Sequence, residues 1–456
     1  MGFVNSEHAN PEYQRALRFL DSVVDLEKLR HHPGAQPYRL ERMRMLLERM
    51  GLPRPPQRFV QVLGSKGKGS TSVMMESVLG AAGYRVGLFS KPHLFSPRER
   101  IRVAGRTIDE SSFAAAAAQV EQCGEDIAIP GDGKVTYFEA ITAMAIWVWA
   151  EAEVAVGVLE AGLGGRLDAT STVDSLLSVI TRIDLEHTEV LGHTLGAIAA
   201  EKAAVIGERG LAVSSPQEPE AREVITAEAL RKAALLFLGG ADFSAASVRC
   251  SVSGTTFKYQ GIFDDLDEVT VPLLGAHQAE NAASALAACE CLRDFCGFRI
   301  DERAMRAGLA TVEWPARVQL VQAEPPVIVD SAHTGRSAQA LAEVLQTVFP
   351  GCGVVFVLGV SADKNFARII EPLAPLARRV IATQSSHPRA LAAEQVAAAC
   401  AASGLKVDVR PSPEEALRAG LESLAPDELL CVTGSLFVAA EALEAWRRRA
   451  GGGQGP

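Results

Sequence analysis

The chain has 456 residues, 48% of them hydrophobic and 22% charged, with a formal net charge of −10. That length allows two domains or more, each with a sizeable core, and the acidic balance argues against a general nucleic-acid binder, which needs a basic face for phosphates. Eight cysteines with no CxxC pair suggest neither a zinc knuckle nor a disulfide framework.

The start "MGFVNS" matches a myristoylation pattern at Gly2 but lacks the polybasic companion that stable anchoring needs. With no signal peptide, this reads as a protein of the reducing cytoplasm. Residues 1–57 are polar and rich in Arg, Glu and Pro, with helical spacing in "RALRFL" and "RLERMRMLLERM". From Phe59 to Gly210, strands expected at 59–63, 84–90, 153–159, 176–182 and 211–214 alternate with helices at 68–82, 137–150 and 194–206. Strand, helix, strand at this spacing predicts a parallel sheet covered on both faces. The apolar run at 141–150 is too short to span a membrane. Residues 246–273 have strand character without an intervening helix, which predicts an antiparallel excursion. An alanine-rich helix follows at His277–Arg293. "FCGFRIDE" then marks a boundary, dividing the chain into 1–297 and 298–456. Beyond it, strands near 327–330, 354–358, 379–383, 406–409 and 429–433 alternate with helices as a second, smaller α/β unit, and "GGGQGP" closes the chain as a frayed tail.

Three stretches carry chemistry. "GSKGKGS" (Gly64–Ser70) follows a strand and opens a helix, so its bare N–H groups attract an anion. Lys68 supplies a point charge for phosphates, and Ser70 or Thr71 a hydroxyl for Mg²⁺. The spacing departs from G-x-x-x-x-G-K-[ST], because Gly69 separates Lys68 from Ser70. In "VAVGVLEAGLGGRLDAT" (154–170), Glu160 stands at the carboxyl end of an apolar strand, where open α/β sheets bind ligands and a carboxylate can hold Mg²⁺ or its water. Arg166 and Asp168 follow the glycine turn. In "ITRIDLEHTEVLGHTLGAIAAEKAAVI" (180–206), His187 lies just past a strand end and Lys202 inside the next helix.

These stretches occur together with "PHLFSPRERIRV" (92–103), "TYFE" (136–139), "GAHQAEN" (275–281), "WPARVQ" (314–319), "DSAHT" (330–334), "ADKN" (362–365), "PRAL" (388–391) and "VTGSLF" (432–437). In this order the set resembles the folylpolyglutamate synthase/dihydrofolate synthase branch of the Mur ligases, over nearly the whole chain. The resemblance implies a P-loop-containing, Mur-ligase-like N-terminal ATPase domain with a central, mostly parallel sheet, and a smaller Rossmann-like α/β C-terminal domain. It implies ATP-dependent addition of L-glutamate to dihydropteroate or reduced folates through an acyl phosphate, by a monomer without nucleic-acid or membrane partners.

Roles follow position by position. Gly64, Ser65, Lys66, Gly67, Lys68, Gly69, Ser70 and Thr71 would form the nucleotide loop, with Lys68 on the phosphates and Lys66 a solvated charge at the rim. His277, Gln278 and Asn281 match a helix start bordering the nucleotide, and Arg317 a residue near ATP in the second domain. Ser70, Ser90, Glu160 and His187 would serve Mg²⁺, with a monovalent cation as a further cofactor. Lys202 matches a lysine that the family carries as a carbamate, an anion able to act as a ligand. Arg166, Asp168, Asp330, His333 and Ser435 would face the substrates, with Asp330 and His333 also catalytic through the incoming glutamate. Asp363 is a weaker match. The sequence departs from the family pattern at Lys66, where Asn is more usual, and in "DSAHT", where "DGAHN" is. It also departs at Lys91, where a second small hydroxyl residue usually precedes "PH" and can bind the metal. Two other functions are weighed against this one. A Mur-type ligase acting on a UDP-linked precursor calls for a UDP-binding domain before the loop, where about sixty residues are too few. A non-catalytic nucleotide-binding paralogue has only Lys91 in its favour.

Overall fold

The computed structural model describes residues 10–25, 39–129 and 133–451. The myristoylation-like start and the "GGGQGP" tail lie outside the described residues, apart from Gly451, where the last helix ends. The larger sheet has eight strands in the spatial order Leu235–Leu238, Leu211–Ser214, Ser175–Ile180, Arg58–Leu63, Val156–Glu160, Val86–Phe89, Ile101–Val103 and Arg106–Thr107. All pairings are parallel except at the edge formed by the last two strands, which turn back as an antiparallel hairpin. The central strands read as continuous β-branched and leucine runs because both faces are covered. Val60, Val62, Val156, Val158, Leu177 and Val179 are all fully buried.

One face carries helices Lys68–Ala81 and Ala276–Cys296, together with a three-stranded antiparallel sheet over 244–271 where the strand-rich stretch predicted it. The other face carries Pro11–Ser22, Leu40–Arg49, Glu110–Gly124 and Tyr137–Glu151. Tyr137–Glu151 starts at a capping box, in which the Thr136 hydroxyl and the Glu139 carboxylate each accept an N–H of the other's residue. Glu139 also holds buried Arg42 in an ion pair at 3.0 Å, which bolts the helix Leu40–Arg49 to the domain.

The second sheet has six strands in the order Gln319–Gln322, Val327–Val329, Glu428–Thr433, Gly353–Leu358, Ala377–Ala382 and Val407–Val409, parallel apart from its first strand. Its two faces bury separate clusters, one around Ile328, Phe356 and Cys431 and reaching Leu274, the other around Val329, Val357 and Val432. The expected boundary at 297/298 does not coincide with the change of core. Phe298, Ile300, Met305, Leu309 and Val312 sit in the first core, and Gly308 lies directly on the backbone of Val78. Packing therefore carries the first unit through Val312. The sequence marked the end of a helix at Gly297, but what that helix's successor packs against is a tertiary matter.

Candidate active site

Three neighbouring parallel strands end level with one another. Val62 pairs with Glu160 and Leu63 with Ile180, so the loop after Leu63, the Glu160 carboxylate and the segment after Ile180 share one edge of the sheet. The loop is anchored by Ser65 and Lys66, whose N–H groups donate to the Arg182 carbonyl at 2.9 and 3.1 Å, and by the Ser65 hydroxyl on the Asp184 carbonyl. Gly67 precedes the helix at φ 90°, a left-handed conformation that glycine adopts without strain. A Cβ there would fall 2.3 Å from Asn281 Oδ1, so the start of helix Ala276–Cys296 is brought onto the loop. Gly69 is squeezed between Trp314 and Glu160 Oε2, which shows that the carboxylate faces the loop. The first N–H groups of helix Lys68–Ala81 have no intrahelical acceptor and open toward the same space. Ser70 keeps slight exposure, whereas Thr71 is fully buried.

Four lysines approach this edge. Lys68 Nζ donates to the Gly64 carbonyl at 2.8 Å and the Ser65 carbonyl at 3.2 Å. Lys202 Nζ donates to the same Gly64 carbonyl at 2.8 Å. Lys66, Lys68 and Lys202 lie 3.7, 3.9 and 3.8 Å from the carboxylate of Glu186. Sequence reasoning missed Glu186, because an acidic residue in "DLEHTEVLG" reads as a solvated loop side chain. Lys66 was expected to be solvated and instead is drawn to Glu186, two-thirds buried. Lys91 donates its backbone N–H to Glu160 Oε2 at 3.1 Å and lines the cleft beside it.

The electrostatics follow from burying so many charges. Burial acts to raise the Glu186 carboxyl, but Lys68, Lys202 and Lys66 outweigh it and hold the group below its ordinary value. Burial pulls Lys68 down against the opposing pull of Glu186 and Glu160. Lys202 is brought to about 7 by burial and by the Lys68 charge. Glu160 is raised by burial despite Lys68 and the Lys91 N–H. His187, at φ 49°, is lowered to about 4 by burial, leaving a neutral imidazole.

The second sheet contributes from across the cleft. Asp330 is buried and engaged: its carboxylate accepts Val318 N–H at 2.9 Å and Ala332 N–H at 2.7 Å, so it shapes the loop carrying Arg317. Burial raises its pKa against those hydrogen bonds. His333 places Nδ1 2.8 Å from the Ser331 carbonyl and is lowered to about 4 by burial, so Nδ1–H donates and Nε2 stays a free acceptor. His277 is also lowered to about 4, by burial and then by Arg317. Gln278 is buried and accepts from Asn281 Nδ2 at 3.0 Å. Ser435 is buried, with its hydroxyl accepting Phe437 N–H at the start of the last helix. Asp168 caps its own loop through Leu163 and Thr170, and Arg166 points outward to Glu201 at 3.5 Å. Asp363 pairs with Lys364 at 2.9 Å. An ion pair of 3.2 Å between Arg336 and Asp184 links the two units. Ser90 is buried in the wall of the cleft.

Among the described residues, no three of His, Cys, Asp and Glu converge as a ready metal cluster. A buried carboxylate with nearby hydroxyls nevertheless suits Mg²⁺, which keeps waters and borrows phosphate oxygens rather than demanding an all-protein cage. Glu160 facing the nucleotide loop is such a group. No helix among the described residues is long and apolar enough to cross a membrane.

Residues 62–289 match the Mur ligase middle domain, and residues 316–436 the Mur ligase glutamate ligase domain. A probable bifunctional folylpolyglutamate synthase/dihydropteroate synthase of Haloferax volcanii is 36% identical over 444 residues, covering 96% of this chain and 51% of that one. The chain spans about half the length of this and a second haloarchaeal relative. The dihydrofolate synthase/folylpolyglutamate synthase of Bacillus subtilis is 33% identical over 406 residues, covering 87% of this chain and 92% of its own. Among solved structures, E. coli FolC in complex with DHPP and ADP superimposes with a TM-score of 0.83 at 30% identity, covering 98% of this chain and all of that one.

Proposed function

Because the chain belongs to the folylpolyglutamate synthase/dihydrofolate synthase family of Mur ligases, we propose that it is an ATP-dependent ligase joining L-glutamate to dihydropteroate, to reduced folates, or to both. A carboxylate cannot condense with an amine at neutral pH, so one of its oxygens must first become a leaving group. The acceptor carboxylate attacks the γ-phosphorus of ATP and ADP departs, leaving an acyl phosphate. The neutral amine of glutamate then attacks the carbonyl carbon. The tetrahedral intermediate expels phosphate and the nitrogen gives up a proton, which yields the amide. Positioning and charge neutralisation supply most of the catalysis in such a reaction.

The observation that carries this reading is the level ending of three strands, which gathers the Gly64–Ser70 loop, Glu160 and Lys202 at one edge, facing Arg317 and His333 of the second unit. In this reading the loop N–H groups and Lys68 hold the β- and γ-phosphates, while His277, Gln278, Asn281 and Arg317 border the nucleotide. Glu160, Ser70, Ser90 and His187 would hold Mg²⁺, which when bound offsets the charge of the phosphates. Lys202 suits carbamate formation, since an amine brought to about 7 is largely neutral near physiological pH, and only a neutral amine reacts with carbon dioxide. Asp330 acts by positioning, because its oxygens already hold the Arg317 loop. Eight free cysteines support a reducing compartment, the cytoplasm.

The test is ADP release with dihydropteroate and with tetrahydrofolate, each with and without glutamate. Release that requires both acceptor and glutamate supports the ligase. Release independent of either, or none at all, overturns it and favours a nucleotide-binding paralogue.

A further inference from the structure

The segment 182–186 touches both sides of the active site. Its backbone holds the nucleotide loop. The Arg182 carbonyl accepts the N–H groups of Ser65 and Lys66, and the Asp184 carbonyl accepts the Ser65 hydroxyl at 3.0 Å. Its side chains then divide the charges around it. Arg182 pairs with Glu218 at 2.9 Å, and Glu186 faces Lys66, Lys68 and Lys202. Asp184 reaches the second unit, where its Oδ1 lies 3.2 Å from a guanidinium nitrogen of Arg336. The same oxygen accepts the Leu185 N–H at 2.9 Å, so the carboxylate is aimed before Arg336 meets it.

Arg336 is the second residue of the helix Gly335–Val348, and His333 stands at the head of that helix. The Ser337 hydroxyl accepts the N–H groups of His333 and Thr334 at 3.1 and 3.0 Å, and the Thr334 hydroxyl accepts the Ser337 N–H at 3.3 Å. Arg336 and His333 therefore belong to one capped turn. The turn is braced from behind as well. A Cβ on Gly335 would fall 2.9 Å from the Arg368 carbonyl, so the turn packs directly on the helix Phe366–Leu373. A force on Arg336 is thus passed to His333, and the charge of Lys66, on the nucleotide loop, already acts on the His333 ring. Stability gives little reason for an arginine at this place. A helix N-terminus carries partial positive charge, so a cation in its first turn works against the helix. An ion pair in which the Arg336 side chain stays 45% exposed returns little in exchange.

We propose that Asp184 and Arg336 are positioning residues for the ligation: their ion pair ties the nucleotide loop to the capped turn of the second unit and so sets His333 against that loop. The proposal rests on the ligase reading above and adds to it how the two halves of the reaction are held in register. The acyl phosphate would form over the loop of the first unit, and glutamate would arrive beside His333 on the second. Attack of an amine on a carbonyl carbon is sensitive to misplacement on the order of 1 Å, so a tether between the two sides acts on rate more than on binding.

The experiment compares wild type, Arg336→Glu, and the double variant that joins Asp184→Lys to Arg336→Glu. A glutamate in the first turn suits the helix dipole, so Arg336→Glu should melt no lower than wild type. Its kcat should fall roughly five- to thirtyfold, because repulsion from Asp184 replaces attraction, while the KM for ATP stays unchanged. The double variant restores an ion pair of reversed sign and should regain most of the rate. Amide hydrogen exchange needs no turnover, so it reads this inference even if wild type does not ligate. With a non-hydrolysable ATP analogue bound, residues 64–70 should be equally protected in all three proteins. Residues 331–337 should exchange faster in Arg336→Glu and return to the wild-type rate in the double variant. Equal exchange at 331–337 in all three proteins overturns the proposal, as does a double variant no faster than Arg336→Glu. A lower Tm in Arg336→Glu also overturns it, since Arg336 would then serve only the stability of its helix.

Discussion

The side-chain nitrogen of Lys202 donates to the carbonyl of Gly64 at 2.8 Å, so the helix Leu195–Ala203 is tied directly to the nucleotide loop. Burial and the Lys68 charge bring its pKa to about 7, against the opposing pull of Glu186 at 3.8 Å. Lys202→Ala should remove both the loop contact and any carbamate. Activity should fall, depend on bicarbonate in the wild type, and be partly restored in the variant by a short carboxylic acid. Full activity of Lys202→Ala without added acid would show that the lysine has no chemical part.

Glu186 is the only carboxylate among the described residues within ion-pair distance of Lys66, Lys68 and Lys202. Glu186→Gln leaves the charged Lys66 and Lys68 beside a neutral amide. Stability should drop by about 1–3 kcal/mol in chemical denaturation, and added phosphate or ADP should restore more of it than in wild type, because an anion then replaces the missing charge. An unchanged midpoint with and without phosphate would show that the lysines are not mutually repelled there.

Lys91 stands where a second hydroxyl would offer a metal ligand, and an ammonium, with three donors and no acceptor, cannot bind Mg²⁺. Its backbone engages Glu160 while its side-chain charge acts on both Glu160 and Lys68. Lys91→Ser should lower the Mg²⁺ concentration for half-maximal rate, whereas Lys91→Ala should weaken ATP binding by about 1–3 kcal/mol, as for one charge-assisted contact. Three superimposable Mg²⁺ titrations with equal ATP affinity would remove Lys91 from the site.

Glu76, in the helix that follows the nucleotide loop, is raised to about 7 by burial, with the Arg102 charge opposing. Its folded pKa lies above the unfolded value, so the folded state binds the extra proton between these two pKa values. The stability this gives is fully present below about pH 4.5 and is lost as pH rises through about 7, amounting to roughly 3 kcal/mol. Thermal melts from pH 5 to pH 8 should show a fall in Tm that is shallower in Glu76→Gln. Parallel pH profiles for the two proteins would contradict the assignment.

The sequence by itself determined the order of elements, the glycine loop with Lys68 and the strand-end position of Glu160, because each depends on local pattern. Alternating strand and helix, a glycine run after a strand and an apolar run ending in one acid are legible within a dozen residues. It could not determine which side chains meet. Glu186 looks like any loop glutamate until the strand Ser175–Ile180 ends level with Leu63 and sets it among three lysines. Asp330 matched a substrate position, yet the fold engages both its oxygens with backbone N–H groups. The segment 298–312 followed a clear helix end, yet its apolar face packs on the helix Lys68–Ala81. Burial and charge pairing are sums over neighbours from distant parts of the chain, so only the tertiary structure could decide them.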